Sequence, residues 1–560
     1  MNRKGYVLLV VLVTASMLLA ACGTSEPEVV EKVVTKEVEV EKVVTQIVEV
    51  EREVTTIVEG TPVIEKVVET QVVEVEKVVT ATPAPAAGGG TLTIASTSDI
   101  DNYDPHWNQL IAYVTLIGHN VFNYLTKLDA DMQVIPDLAE SWEISDDGTV
   151  YTFHLREGAQ FHNGRPLVAD DVVFTFNRLT EQETIFASKM DSVESIEAVD
   201  DHTVQFTLKA PWAPFLEDVA LIAVVGEDTE GQLQTEPIGS GPFRFVEWLP
   251  NDQIVLEKNP DYDIPGVPKM DGIVIKILPD KTVALTNLEA GSVDAVYDVP
   301  AAQADRFKGR DDVVIQTPKA SNSLFLLEMA IAKYEPLQDV RVRKALAMCL
   351  DKETISQNVY FGHGEPQWSS LPKSSWAYIE PSELPYDPDG AKALLAEAGY
   401  ADGFDLTVKI ITGVGVMENV TTIWQDCLGK IGVNLEIEVE ELSTWLDHYI
   451  GRDYQTIANW MNVQGDPHSM YDIIFKPHLK DETSFPNEEM LGLIEEGAVT
   501  VDQGRRKAIY AKMQQMAVDE MAPVMVVVSQ PLIGLTTPKV KDWTMNGAGG
   551  IYFDKIYLEE

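Results

Sequence analysis

The chain has 560 residues, 42 lysines and arginines against 89 aspartates and glutamates, a formal net charge of −47, and 45% hydrophobic residues. That length and apolar content can fill the cores of several domains. The acidity excludes a nucleic-acid binder, since phosphate recognition needs clustered cations that release counterions, and suits a solvated surface outside the cytoplasm.

Arg3 and Lys4 precede an apolar run over residues 6–19 that is broken only by Thr14 and Ser16, the charged and apolar regions of an export signal. The run stops at Leu19-Ala20-Ala21-Cys22, which resembles a bacterial lipobox. The resemblance implies a signal peptide over residues 1–22 and acylation of Cys22, so that the protein is lipid-anchored to the outside of the cell membrane, at the cell surface or in a periplasm. No later stretch offers about 18 uninterrupted apolar residues, so the body is expected to be tethered to the membrane rather than embedded in it.

Residues 23–90 carry 14 Glu, no Asp, six Lys and Arg, and no aromatic residue. The unit Val-Glu-Lys-Val-Val-Thr starts at Val30, Val40 and Val75, with looser copies at Val50 and Ile64. Such monotony cannot build a packed core, and the drifting spacing fits no coiled-coil seam. A low-complexity, extended linker is predicted, ending in Thr-Pro-Ala-Pro-Ala-Ala-Gly-Gly-Gly at 82–90, with a self-associating Val-rich stalk as the alternative.

The rest reads as mixed α/β. Leu92 and Ile94 mark a strand that runs into a polar loop with Tyr103, His106 and Trp107. Trp142 and Ile144 alternate up to Asp146-Asp147-Gly148, and Tyr151, Phe153 and Leu155 alternate on return, a hairpin; a second one turns at Asp200-Asp201. Val342, Ala345, Leu346, Cys349 and Leu350 keep the stripe of a core-facing helix. Asp387 caps another helix, with Pro388 first in it and Gly399 at its stop. Strand, helix and strand over 406–411, 420–430 and 435–439 suggest parallel-sheet units. Cys349 and Cys427 lie in apolar helical patterns and in no metal-binding spacing; buried free thiols are the preferred reading, a disulfide the alternative.

The stretch 138–179, LAESWEISDDGTVYTFHLREGAQFHNGRPLVADDVVFTFNRL, resembles the signature region of the family 5 extracellular solute-binding proteins, the peptide, dipeptide, oligopeptide and nickel receptors of ABC importers. PIGSGPFRFVEW from Pro237, NPDYD from Asn259, LEAGSVDAV from Leu288, PLQDVRVRKALAMCLDKETI from Pro336 and YDPDGAKALLAEAGY from Tyr386 follow in the family's order, so the resemblance covers nearly all of residues 91–560. It implies a two-lobe α/β fold of the periplasmic-binding-protein type II, with two inter-lobe crossovers near 317–322 and 523–530. Lobe I would hold 91–319 and 525–560, with an extra subdomain over about 111–235, and lobe II 320–524. The implied function is capture of a small solute by lobe closure and its delivery to ABC permease subunits, by a monomer that needs no cofactor or metal.

For the ligand, peptide-binding members keep W-x-x-D-x-x-D-P, whose first Asp pairs with the ligand ammonium; here the motif reads Trp460-Met-Asn462-Val463-Gln-Gly-Asp466-Pro467. An ammonium buried without that carboxylate would cost about 3 to 5 kcal/mol. No Lys or Arg lies between Lys409 and Lys430, where dipeptide binders carry an Arg for the ligand carboxylate. The solute is therefore read as peptide-like but not anchored at both charged ends, with an oligosaccharide as the alternative and nickel or a metallophore kept open by some relatives. Tyr103, Trp107, Asn322, Trp376, Trp424, Trp460, Asn462 and Val463 are the candidate ligand contacts, aromatic faces suiting sugar rings or apolar side chains. Asp466 is read as a turn-former.

Enzyme readings fail: the chain has no H-E-x-x-H, G-x-S-x-G or phosphate-binding G-x-x-x-x-G-K-[ST]. Ser370-Leu-Pro-Lys373 matches S-x-x-K, but Pro372 leaves no helix to aim the lysine. A surface hydrolase on a borrowed fold and a ligand sensor without a permease are the remaining, lesser alternatives.

Overall fold

The computed structural model describes residues 29–30, 45–58, 61–74, 89–108, 110–480, 487–519 and 524–559. It divides into two compact units, Met1–Ala84 and Pro85–Glu560. In the first unit, Thr45–Val58 pairs antiparallel with Thr61–Glu74, and Val29–Val30 pairs with Thr45–Val58. The sequence reads as an extended linker here; the described parts are extended, but laddered, as suits segments rich in Val, Ile and Thr.

The second unit has two lobes. The sheet of the first runs Phe243–Leu249, Gln253–Lys258, Gly272–Ile277, Thr91–Ser96, Ala295–Val296, Gly534–Thr536 and Val314–Gln316. Thr91–Ser96 is parallel to both of its neighbours, and Leu92 and Ile94 are wholly buried. A subdomain adds a four-stranded antiparallel sheet in the order Ala139–Ile144, Val150–Leu155, Thr203–Leu208 and Val193–Asp200. Both predicted hairpins are in it: Trp142 pairs with Phe153 and Ile144 with Tyr151, while Thr203 pairs with Asp200. The helix Ala169–Glu181 packs against this sheet through Phe176, edge-on to Phe206 at 5.0 Å.

The second lobe's sheet runs Glu365–Pro366, Val524–Ser529, Ser323–Met329, Thr456–Asn462, Phe404–Ile411 and Val433–Glu440. Phe404–Ile411 and Val433–Glu440 are parallel and joined by the helix Gly415–Lys430. The helix Val340–Met348 buries Val342, Ala345 and Leu346, and the Asp339 carboxylate accepts the Arg341 N–H at its start. Pro388–Glu397 is capped by Asp387, which accepts the Gly390 N–H, and Gly399 beyond its end takes a φ of 96° that suits glycine.

Cys349 and Cys427 are joined as a disulfide, with 5.4 Å between their Cα atoms, and this corrects the preferred reading of free thiols. Two helices 78 residues apart pack on one core and bring the sulfurs together, which no local pattern announces. The chain first passes between the sheets from Gln316 to Ser323 and returns after Ser529, before Gly534. The lobe boundary expected at 524/525 falls at the start of the strand Val524–Ser529, which pairs with Ser323–Met329 in the second lobe's sheet.

Candidate ligand site between the lobes

In the second lobe Phe404–Ile411, Val433–Glu440 and Thr456–Asn462 run parallel, so their carboxyl ends share one edge. Ser323–Met329 runs the other way, with Ser323 opposite Asn462, so the chain enters the lobe at that same edge. Ligand groups gather at such an edge in α/β sheets.

Asn322 is the joint of this edge, 1% exposed. Its backbone N–H donates to Gly547 O at 2.8 Å, its Nδ2 donates to Val463 O at 2.6 Å, its carbonyl accepts the Val463 N–H at 3.0 Å, and Ser374 Oγ donates to its Oδ1. Only glycine fits at 547, because a Cβ there would lie 2.2 Å from Asn322 Oδ1.

Away from the joint, the subdomain meets the second lobe along a seam where the Ala213 N–H donates to Ala498 O at 2.7 Å. Two cavities open on the seam, of about 270 and about 530 Å³, and Glu217 and Asp466 line both. Glu217 and Asp218 are the only charged residues in the run 210–225, and lie on the short helix Phe215–Ala220. Phe215 and Val219 fill the subdomain core. Asp218 takes Lys189 Nζ at 2.6 Å and Trp212 Nε1 at 2.8 Å. Glu217 is 5% exposed, and its Oε2 has no hydrogen-bond partner. Burial, with Asp466 and Asp218 nearby, pushes its pKa well above the usual carboxyl range.

From the second lobe, Asp466 accepts the His468 N–H at 2.9 Å, the turn role read from the sequence. Both of its oxygens also hold Arg506, at 2.7 and 2.8 Å, which the sequence reading missed. Arg506 donates to Gly497 O and Tyr510 Oη as well, and its guanidinium lies 5.3 Å from the centre of the Trp376 ring. His468 is buried with neither ring nitrogen hydrogen-bonded, and burial lowers its pKa. Trp142 and Trp376 line the smaller cavity and Trp212 the larger, so the seam offers flat aromatic walls around carboxylates.

Of the candidate contacts, the structure brings Trp376 to the cavities and Asn322 and Val463 to the joint. Val463 is wholly buried in an apolar cluster with Leu324 and Tyr471. Trp107 and Trp460 are 41% and 42% exposed, and Asn462 is exposed too. Tyr103 is wholly buried in the first lobe's core, edge-on to Phe245 and Trp248. Trp424 is wholly buried in the second lobe, its indole donating to Leu346 O at 2.9 Å. These two positions are core packing rather than cavity wall, because their apolar neighbours enclose them on every side. Cys22 lies outside the described residues.

Lys409, the nearest cation to the loop that follows its strand, is spent on Glu438 and Glu440 at 2.6 and 2.7 Å. Ser370 Oγ shares a hydrogen bond with Tyr471 Oη, and Lys373 pairs with Glu365, so the S-x-x-K pair does not meet. Among the described residues there is no group of three or more His, Cys, Asp or Glu fit to hold a metal, and no helix long and apolar enough to cross a membrane.

Residues 133–480, more than half of the chain, match the family described as bacterial extracellular solute-binding proteins, family 5 Middle. The chain is 28% identical over 480 residues to di/tripeptide-binding protein 1 of Pseudomonas aeruginosa, covering 79% of this chain and 89% of that one. It is 30% identical over 491 residues to heme-binding protein A of Haemophilus influenzae, covering 79% and 86%. The solved structure of the ABC transporter substrate binding protein CtaP of Listeria monocytogenes superposes with a TM-score of 0.76 at 27% identity, over 84% of this chain and 100% of that one.

Proposed function

Because this chain belongs to the bacterial extracellular solute-binding proteins of family 5, receptors of ABC importers rather than enzymes, we propose that it captures a short peptide-like solute between its lobes and passes it unchanged to a permease. The observation that carries this reading is the seam itself: two cavities whose walls come from both lobes, aromatic and carboxylate-lined. A solute that touches both walls favours the closed form by its differential affinity, which is all that a capture device requires.

The peptide class is supported by the likeness to a di/tripeptide-binding protein. The mode of holding is this chain's own. Val463 stands where peptide-binding members keep their ammonium-binding Asp, and Lys409 is already paired, so neither charged end of a peptide finds an ion-pair partner there. Peptides blocked at both ends are therefore expected to bind about as well as free ones. Thermal-shift titration of the purified protein tests this, since a ligand at 100 times its Kd adds about 2.7 kcal/mol to stability. Native mass spectrometry would identify a solute that co-purifies. Shifts with oligosaccharides and none with any peptide, free or blocked, would overturn the reading. Lipid attachment at Cys22 belongs to the same proposal and is supported by Leu19-Ala20-Ala21-Cys22 after the apolar run.

A further inference from the structure

We propose that Glu217 is the specificity-determining residue of the seam, and that it receives a cationic side chain of the solute, an ammonium or guanidinium on an arm, rather than a peptide's terminal ammonium. The proposal rests on the solute-capture reading above and adds to it the chemical class of what enters the cavities.

The two cavities would suit any small molecule by size; their charges are more selective. Lys189 and Arg506, the cations on the seam, are each held by a carboxylate of their own, Asp218 and Asp466. Burial lowers the pKa of His468. Asp472 takes Lys476. Among the described residues, Glu217 is the one buried acid on the seam that pairs with no cation and keeps an oxygen without a well-formed hydrogen bond, the Gly465 backbone N–H lying near its carboxyl, at 5% exposure and on the wall of both cavities. A buried carboxyl left so costs free energy until a donor arrives, and a charged donor returns the most. The walls agree in composition, for Trp142 and Trp212 line the same cavities and Trp376 already lies against a guanidinium, that of Arg506.

Packing leaves Glu217 little choice of orientation. A Cβ on Gly465 would lie 2.7 Å from Met132 O and 3.5 Å from Glu217 Oε2, so the second lobe's loop closes directly over the carboxyl. A cationic arm in the cavity would thus be gripped by groups from both lobes, which ties its charge to closure.

The test uses two matched probes. In the first arm, the affinities of Ala-Arg-Ala and Ala-citrulline-Ala, alike in shape and differing in charge, are measured by calorimetry on the full chain and on Glu217→Gln. The expected result is a preference for the arginine peptide of at least tenfold that falls to near one in the variant. The same preference in both proteins, or equal binding of the two peptides by the native protein, overturns the proposal. In the second arm, agmatine, a guanidinium without a peptide bond, is titrated by thermal shift against both proteins. A shift in the native protein that the variant lacks supports the cation site even if no peptide binds, in which case the peptide reading fails alone. No shift with agmatine together with no arginine preference ends the proposal. Far-ultraviolet circular dichroism confirms that Glu217→Gln is folded, as an amide of the same shape should be.

Discussion

His106 is buried and His119 and His162 are partly buried, and the pKa of each is lowered to about 4, with desolvation as the largest cause. The geometry at His106 agrees, since Arg178 Nη1 donates to its Nδ1 at 2.6 Å and its Nε2 meets Ala223 O at 2.9 Å, an arrangement that only the neutral ring satisfies. An unfolded histidine titrates near 6.5, so between pH 6.5 and 4 the unfolded chain binds the additional protons. Stability is thus fully present above pH 6.5 and lost as pH falls towards 4, at up to about 1.4 kcal/mol per pH unit for each ring. Glu217, with its pKa raised, runs the other way and offsets part of the loss. Urea midpoints for His162→Gln from pH 4.5 to 6.5 should show a slope lower by one proton than the native protein. A slope unchanged by the substitution would show that His162 does not titrate on unfolding. Residues such as these were legible only in part. The sequence reading passed over Glu217, although it is an acid inside an apolar run, and nothing in a single sequence says which lobe a side chain will meet. Trp424 shows the same limit, because a tryptophan in a helical apolar stripe reads alike whether it faces a core or a cavity.

Elements were easier to read because their signals are local. The Trp142 to Leu155 hairpin carries its own alternation and turn, and the helix from Pro388 carries its own cap and stop. The disulfide is the counterexample, a contact between the ends of two helices 78 residues apart. Closing a loop of that length in the unfolded chain is worth about 4.5 kcal/mol in the chain-entropy account. The double substitution Cys349→Ser and Cys427→Ser should lower stability by up to that amount, read as a drop in the urea midpoint, and reducing agent should lower the native protein alike. An unchanged midpoint under reduction would mean that the bond is not formed in solution.

At the scale of the molecule, two sheets joined by two short passages make the lobes, and the family's order of motifs was what disclosed them; periodicity alone indicates α/β and no more. The lobe boundary was misplaced within Val524–Ser529 because an all-buried strand looks alike in either sheet. The proposed acylation at Cys22 is also a statement about the whole protein. Cys22→Ala should move the protein from the membrane fraction to the soluble one and abolish labelling by a fatty-acid probe; a variant still labelled would place the lipid elsewhere. The Asn322 joint has a consequence for how such a protein ages. Hydrolysis of that one amide to an acid would set an oxygen against the Val463 carbonyl where a donor now sits, at a position only 1% exposed. Spontaneous deamidation, a slow chemical clock in any long-lived exported protein, would therefore be felt in the swing of the jaws while the fold of each half persisted.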